Sequence, residues 1–369
     1  MILSFAFLAL TQIAIASDAD LHMHLFIDGG TIPYIYSGGG FGPLTVQDSQ
    51  DKWGSKVNTE TLKKSHLRLV VLALYAHKIG GWNLRQSIRN QIQQVRRFVS
   101  DNSEWILARD PHEAEIALQQ GKRVLVLSLE GASGILENRQ DLDEFIDREG
   151  IAIVTPVHFL DDAIGGASLM RGYLGPLMNP LGWIRSWWSG SFVEGVRANP
   201  QGLQQEGERL IQELLDRGVW PDLAHSSDAT QDSLLALLEA RNVPPLHSHT
   251  SLRHHHGAER AIGRQHLSRM AKNGGLLGLI PSQDMLEPAT LEQHLSETFA
   301  VLGPGHIFWG TDYNAPIRGI PEAFRLDQLS DWVAREPKKF EGMGRAEDFV
   351  RSWKKVKKKN PTAGVGSSK

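Results

Sequence analysis

The chain predicts one α/β domain of the (β/α)8 TIM-barrel class, with a long insertion after the fourth strand. Three observations carry that prediction. Apolar runs of strand length alternate with amphipathic helical stretches along most of the 369 residues, which implies parallel strands with helices outside them. Eight such runs can be counted, and eight repeats suggest closure into a barrel. The runs also end, again and again, in a metal-ligand or acid–base residue: His22 and His24, Glu130, His158, His225, His249 and Asp312. Barrels of this class keep their reactive groups at the carboxyl ends of the strands, the position these residues take.

Composition narrows the partners. Hydrophobic residues make up 41% and charged residues 22%, so a large buried core is feasible. Net charge is −3, and the one basic cluster, residues 354–359, falls in the tail, so no nucleic-acid partner is expected. The expected partner is a small molecule, with self-association into a homodimer left open. There is no cysteine, which excludes disulfides and thiolate ligands. Any metal is therefore held by histidine and carboxylate.

Taken in order, residues 1–16 are apolar apart from Ser4, Thr11 and Gln12, and Ala14-Ile15-Ala16 precedes Ser17 like a small-residue cleavage site. The expectation is a signal peptide and an exported protein, periplasmic or extracellular. No Lys or Arg precedes the run, and a retained first strand in a cytoplasmic protein is the alternative. The barrel is assigned to residues 17–353 and a basic, solvated tail to 354–369. The first strand runs into Asp20-Leu21-His22-Met23-His24. A loop rich in glycine and aromatics follows at 26–43; it lacks the Lys-Ser/Thr of a phosphate loop and reads as a cover over the mouth.

Residues 67–74 read as a strand, 85–99 as a helix with Ile88, Ile92, Val95 and Val99 on one face, and 111–120 as a helix ended by Gly121. The run 123–129 delivers Glu130-Gly131. A helix from about 140 closes at Gly150, and the strand 151–157 ends at His158. The insertion 161–200 breaks the rhythm with glycines, prolines and Trp183, Trp187 and Trp188. A loop of this length suggests a lid or substrate wall, with ordinary surface packing as the alternative. Alternation then resumes: helix 201–217, strand 219–224 ending at His225, and a helix to Ala240 capped by Asp228. Strand 243–246 enters His247-Ser248-His249, and helix 264–272 leads through Gly274-Gly275 to strand 276–280. After helix 290–302, strand 307–310 ends at Thr311-Asp312.

Side chains two apart on a strand point the same way, so His22 and His24 can grip one ion. Histidines and carboxylates facing one mouth match zinc or a similar divalent metal. Two such metals can share a carboxylate and a hydroxide that is nucleophilic at neutral pH; a nearby carboxylate must then move its proton, a role that suits Asp312. Arg253, four residues after His249, is placed to hold a substrate carboxylate in a bidentate fork. Several residues admit a plainer reading. His225 could be a hydrogen-bonded core histidine, His247 competes with His249, and His254-His255-His256 reads as a polar loop. His66, His77, His112, His266, His294 and His306 have no motif context. Ser226-Ser227 lacks the glycines of a nucleophile elbow.

The series of motifs resembles the membrane (renal) dipeptidase family of zinc metallopeptidases, within the amidohydrolase superfamily. The segments are Asp20-Leu21-His22, Leu127-Ser128-Leu129-Glu130-Gly131, Pro156-Val157-His158-Phe159, the run from Gly218 through Asp222-Leu223-Ala224-His225-Ser226-Ser227-Asp228 to Thr230, Ser248-His249-Thr250-Ser251-Leu252-Arg253, Asn273-Gly274-Gly275 and Gly310-Thr311-Asp312. The resemblance implies two zinc ions, or another divalent metal, on a (β/α)8 barrel. His22 and His24 would bind one ion, His225 and His249 the other, and Glu130 would bridge them. His158 would stabilise the tetrahedral intermediate and contact substrate, Arg253 would hold the substrate carboxylate, and Asp312 would be the general acid/base.

Three departures stand out. The family usually has Asp at the position of His24. A tyrosine-bearing segment after the seventh strand is replaced by Leu279-Ile280-Pro281-Ser282-Gln283. The usual Asp-Phe-Asp-Gly reads Asp312-Tyr313-Asn314-Ala315. Metal chemistry is thus expected to be retained and substrate recognition altered. The expected activity is hydrolysis of amide bonds, most simply of dipeptides. Acyl-amino acids, lactams and lactones are the near alternative, and a non-catalytic binding barrel is the alternative of another class.

Overall fold

Leu69–Tyr75 and Arg123–Glu130 form strands buried along nearly their whole length, as happens when helices cover one face of a parallel sheet and side chains fill the other. They belong to a ring of eight: β1 (Ala19–Met23), β2 (Leu69–Tyr75), β3 (Arg123–Glu130), β4 (Ile153–Thr155), β5 (Trp220–Pro221), β6 (Leu246–Thr250), β7 (Leu276–Leu279) and β8 (Ile307–Trp309). The computed structural model describes residues 17–25, 57–76, 83–172, 174–315 and 317–357. Neighbours pair in parallel in the order β5-β4-β3-β2-β1-β8-β7-β6. A bridge between Asp222 and Leu246 closes the last seam, where the Leu223 N–H donates to the Leu246 carbonyl at 2.9 Å. The mostly parallel, nearly closed barrel is the fold that the alternation predicts.

Helices wrap the outside through the faces their periodicity marks. Leu84–Asp101 buries Ile88, Ile92, Val95 and Phe98, spaced by three and four residues. Pro111–Gln119 begins on an Asp110 cap with proline at its first turn, and Thr290 caps Leu291–Leu302 reciprocally with Gln293. Inside, β6, β7 and β8 approach closely: a Cβ on Gly278 would lie 1.8 Å, and one on Gly310 2.2 Å, from the Ser248 carbonyl oxygen. Only glycine fits there.

Several elements differ from expectation, each for a local reason. The fifth strand shrinks to Trp220–Pro221 because proline supplies no N–H to continue a ladder. The sixth starts at Leu246 and carries His247 to Thr250 within it. The helix from about 140 is a single turn, Arg139–Leu142, that widens into a π-helix over Asp143–Arg148. Ser227, not Asp228, caps Asp228–Ala240, accepting from the Thr230 N–H. A short strand, Trp105–Leu107, pairs with the start of β3.

The insertion has structure of its own: helices Leu174–Met178 and Pro180–Ser189 and an antiparallel hairpin of Phe192–Val193 with Val196–Arg197. The closing helix Ala346–Lys357 includes Lys354, Lys355 and Lys357, so the basic tail begins later than composition suggests. The apolar run 1–16, the glycine-rich loop 26–43, His77 and residues 358–369 lie outside the described residues.

Candidate metal centre

Seven of the predicted site residues converge at the carboxyl mouth. His22 lies in β1 and His24 one residue past it, Glu130 ends β3, and His249 lies in β6. His158, His225 and Asp312 follow β4, β5 and β8 by a few residues. His225 (φ 61°) and Asp312 (φ 52°) sit in the left-handed backbone region, which side chains other than glycine rarely adopt and which clusters at functional sites.

Glu130 is the hub. Its Oε1 lies 3.0 Å from His225 Nε2, 3.4 Å from His22 Nε2, and 3.5 Å from both His249 Nε2 and His158 Nε2, while its Oε2 lies 3.3 Å from His24 Nε2. Asp312 Oδ1 stands 3.4 Å from His24 Nε2 and 3.8 Å from His22 Nε2. The imidazoles also face one another, with His22 and His24 Nε2 atoms 3.3 Å apart and those of His225 and His249 2.9 Å apart. His22, His24, Glu130, His225 and His249 are all buried.

The atoms behind the rings fix which nitrogen faces the centre. His24 Nδ1 donates to the Ala73 carbonyl at 3.2 Å, so that in the neutral ring Nε2 is the nitrogen that carries the lone pair. Asp222 accepts the Ser248 hydroxyl at 2.6 Å and that of Thr155 at 2.7 Å. Ser248 Oγ is then free to accept from His249 Nδ1 at 2.8 Å and His22 Nδ1 at 3.4 Å. Such a chain of carboxylate, hydroxyl and imidazole orients metal-binding histidines. Asp20 joins β1 to β8, accepting the His22 N–H, the Thr311 N–H and, at 2.6 Å, the Thr311 hydroxyl.

Burial, reinforced by neighbouring imidazoles and Arg260, holds His22, His225 and His249 well below the ordinary histidine range, so these rings are neutral, the ligating form. Burial raises Glu130 as well. At His24 burial opposes charge, but hydrogen bonds to Asp312 and Glu130 and their negative charge prevail and raise it to about 10. The pocket thus calls for positive charge between two carboxylates. Neutral imidazole nitrogens aimed at that same space are the donor set a divalent cation needs, and the residues present fit a metal. With ligand atoms within 4.8 Å of one another, His22, His24 and Asp312 form one potential ligand group, and His22, Glu130 and His249 another. A third group joins Glu130, His158 and His225.

Two choices left open by sequence are decided. His249 belongs to the cluster and His247 does not, because between His247 and Thr250 two residues of β6, Ser248 and His249, oppose the single Gly278 of β7, a bulge that breaks strict alternation. His158 stands beside Glu130, its ring 4.6 Å from Tyr75 and 4.2 Å from His225, on a cavity of about 80 Å³ that Tyr75, Gly131 and Phe159 also line.

The expected role of Arg253 requires correction. Its guanidinium is 1% exposed and forms a bidentate pair with Asp228 at 2.5 and 2.6 Å, while its Nε donates to the Ala261 carbonyl. No donor face is left for a substrate. Arg260 takes the position instead: its Nη2 lies 3.2 Å from His225 Nε2 and its Nη1 donates to the His249 carbonyl at 3.3 Å. The segment after His249 turns through Arg253–His256, reverses at Gly257 (φ 74°) and returns, with Ile262 paired to Leu252. That return brings Arg260 over the mouth. No local motif marks it, so proximity along the chain favoured the wrong arginine.

Fold and site together define a (β/α)8 barrel built around a buried histidine–carboxylate cluster whose donors suit a metal ion. Comparison with known proteins shows what the chain resembles. The sequence model of the membrane dipeptidases (peptidase family M19) matches residues 181–361, just under half of the chain. Dipeptidase 3 of Macaca fascicularis is 26% identical over 138 residues, a match covering 36% of this chain and 27% of that protein. The chain thus spans about a quarter of the length of that curated relative.

Among solved structures, a metallopeptidase from Rhodobacter sphaeroides, liganded with a phosphinate mimic of the dipeptide L-Ala-D-Ala, superposes with a TM-score of 0.71 at 14% identity, covering 93% of this chain and 99% of that one. A dipeptidase described as dipeptidase AC gives 0.68 at 14% identity, covering 83% and 91%. A probable dipeptidase from Pseudomonas aeruginosa gives 0.66 at 14% identity, covering 94% and 96%. At this identity the structural likeness speaks to the fold.

Proposed function

We propose that the protein hydrolyses amide bonds with two zinc ions at the barrel mouth, and that dipeptides are its simplest substrates. The observation that carries this reading is the carboxylate of Glu130 with four imidazole nitrogens within 3.5 Å of its Oε1 and a fifth at 3.3 Å from its Oε2. His22 and His24 would hold one ion, His225 and His249 the other, with Glu130 between them. When bound, such ions polarise a carbonyl and make a water nucleophilic near neutral pH.

The chain's own groups do the rest. Asp312, 9% exposed and beside His24, takes a proton from the attacking water and passes it to the leaving amine. His158, on the other side of Glu130, donates a hydrogen bond to the oxygen that gains charge. Arg260 binds the substrate's carboxylate with a charge-assisted fork, the role its neighbour in sequence, Arg253, cannot fill. Acyl-amino acids share this carboxylate beside an amide, so they stand next to dipeptides as candidates, ahead of lactams and lactones.

The test is metal content on protein purified without chelator, followed by a panel of dipeptides and acyl-amino acids. Two zinc ions with cleavage is the expected result, together with inhibition by the phosphinate dipeptide mimic. A chain that binds no metal under zinc-replete conditions would sink the proposal and leave a binding barrel. The apolar run 1–16 is proposed to direct export, and mass spectrometry of exported protein should find a new amino terminus at Ser17; an intact Met1 in that fraction would refute it.

A further inference from the structure

We infer that His254, His255 and Glu297 form a second, outer site for a divalent transition-metal ion, sharing no residue with the cluster at the mouth. His254 Nε2 lies 2.6 Å from Glu297 Oε2, and His255 Nε2 lies 2.8 Å from Glu297 Oε1. One ligand atom from each residue falls within 4.8 Å of the other two. Successive residues of a helix diverge by about 100°, yet these two rings turn to the same carboxylate with centroids 4.0 Å apart. Two imidazoles and a carboxylate form a donor set suited to zinc, cobalt or nickel.

The surroundings suit an ion that keeps water. The side chains are 25%, 20% and 46% exposed, so coordination positions open outward. A cavity of about 350 Å³ lies alongside, lined by His254, Glu297, Arg264 and Ser268 among others. His294, whose ring is 4.9 Å from that of His255, is not a ligand. Its Nδ1 accepts the Leu252 N–H and its Nε2 donates to the Leu286 carbonyl, so both nitrogens are committed.

An ion here would tie the turn Arg253–His256 to the helix Leu291–Leu302. That turn begins the excursion that carries Arg260 back to the mouth, so the outer site would brace the segment that positions it. Without metal the same residues make an imidazole pair hydrogen-bonded to one carboxylate, and the two states differ in their response to zinc.

The experiment uses the full chain with zinc alone as probe. Wild type, the double variant His254→Ala/His255→Ala and the single variant Glu297→Gln are equilibrated in buffered free zinc, gel-filtered and analysed for metal. Wild type is expected to retain one equivalent more than either variant, and wild type alone to show hydrogen-exchange protection of residues 253–260 on adding zinc. Equal metal content in all three chains overturns the inference. Glu297→Gln keeps a hydrogen-bonding group and guards against misfolding of the double variant, and thermal melts confirm that each chain is folded. The comparison is between chains, so its outcome is independent of whether the mouth cleaves amides.

Discussion

At the scale of single residues, two arginines seven positions apart have different surroundings, and the proposed function gives only the second a part in recognition. Arg253 neutralises Asp228, and both are buried. Replacing it with alanine strands a carboxylate, which costs about 3–5 kcal/mol of stability. Arg260 faces His225. Arg260→Ala should leave the fold intact and lower kcat/KM about 10–100-fold, mostly through KM, because a charge-assisted hydrogen bond contributes about 1.5–3 kcal/mol. The check compares each variant's thermal melt with its kinetics on a dipeptide and on the same dipeptide amidated at its carboxyl end. If Arg260→Ala handled both substrates as wild type does, its recognition role would fail. The sequence made His22, His24, Glu130, His225 and His249 legible because each closes an apolar run, a position read without three-dimensional knowledge. Arg260 has no such marker, and its placement depends on the reversal at Gly257.

Among elements, the insertion shows what periodicity cannot see. Its order rests on polar contacts between residues far apart in the chain: Asp161 Oδ1 accepts from Asn179 and Asn199, and Glu259 accepts the N–H groups of Leu169, Asn199 and Asp228. Its base also touches the histidine–carboxylate cluster, since the Ser168 N–H donates to the His225 carbonyl at 2.7 Å. Its outer part is different, with Leu177, Leu181, Ile184, Trp187, Trp188 and Phe192 all exposed. Replacing residues 174–197 with a short glycine linker should therefore shift substrate preference while metal content stays at the wild-type level. Loss of metal in parallel would show that the tip, too, is structural. Glu259 adds a pH signature to this clasp. Burial first, then the charge of Asp228, push its carboxyl up from 4.5 to about 8 despite the three N–H donors. A folded-state value above the unfolded one means that its contribution is fully present below about pH 4.5 and is lost as pH rises towards 8. The melting temperature of wild type should decline over that window, and Glu259→Gln should flatten the decline; equal slopes would remove Glu259 as the cause.

For the whole molecule, alternation of strand and helix was enough to foresee a closed barrel, yet it says nothing about how evenly the barrel is held. Between β2 and β3 the ladder runs from Leu69↔Val124 to Tyr75↔Glu130 without a break. Between β5 and β6 there is one bridge, Asp222↔Leu246, helped by the Asp222 carboxylate on Ser248. The thin seam follows from Pro221, which ends β5 early. It is also the seam that His225 and His249 straddle, their Nε2 atoms 2.9 Å apart, so a metal held by both would clamp the barrel where its backbone pairing is weakest. Stripping the metal should then lower Tm by about 3–4 °C, given that ligand at a hundredfold excess over Kd stabilises by about 2.7 kcal/mol. More tellingly, the loss should be local. Hydrogen exchange at the Leu223 and Ser248 amides should accelerate on chelation while the β2–β3 amides keep their protection. A uniform loss across all eight strands would mean that the metal stabilises the barrel as one unit and that the seam has no special dependence on it. An unchanged seam with a lowered Tm would place the metal's grip on β1 and β8, through His22, His24 and Asp312, instead.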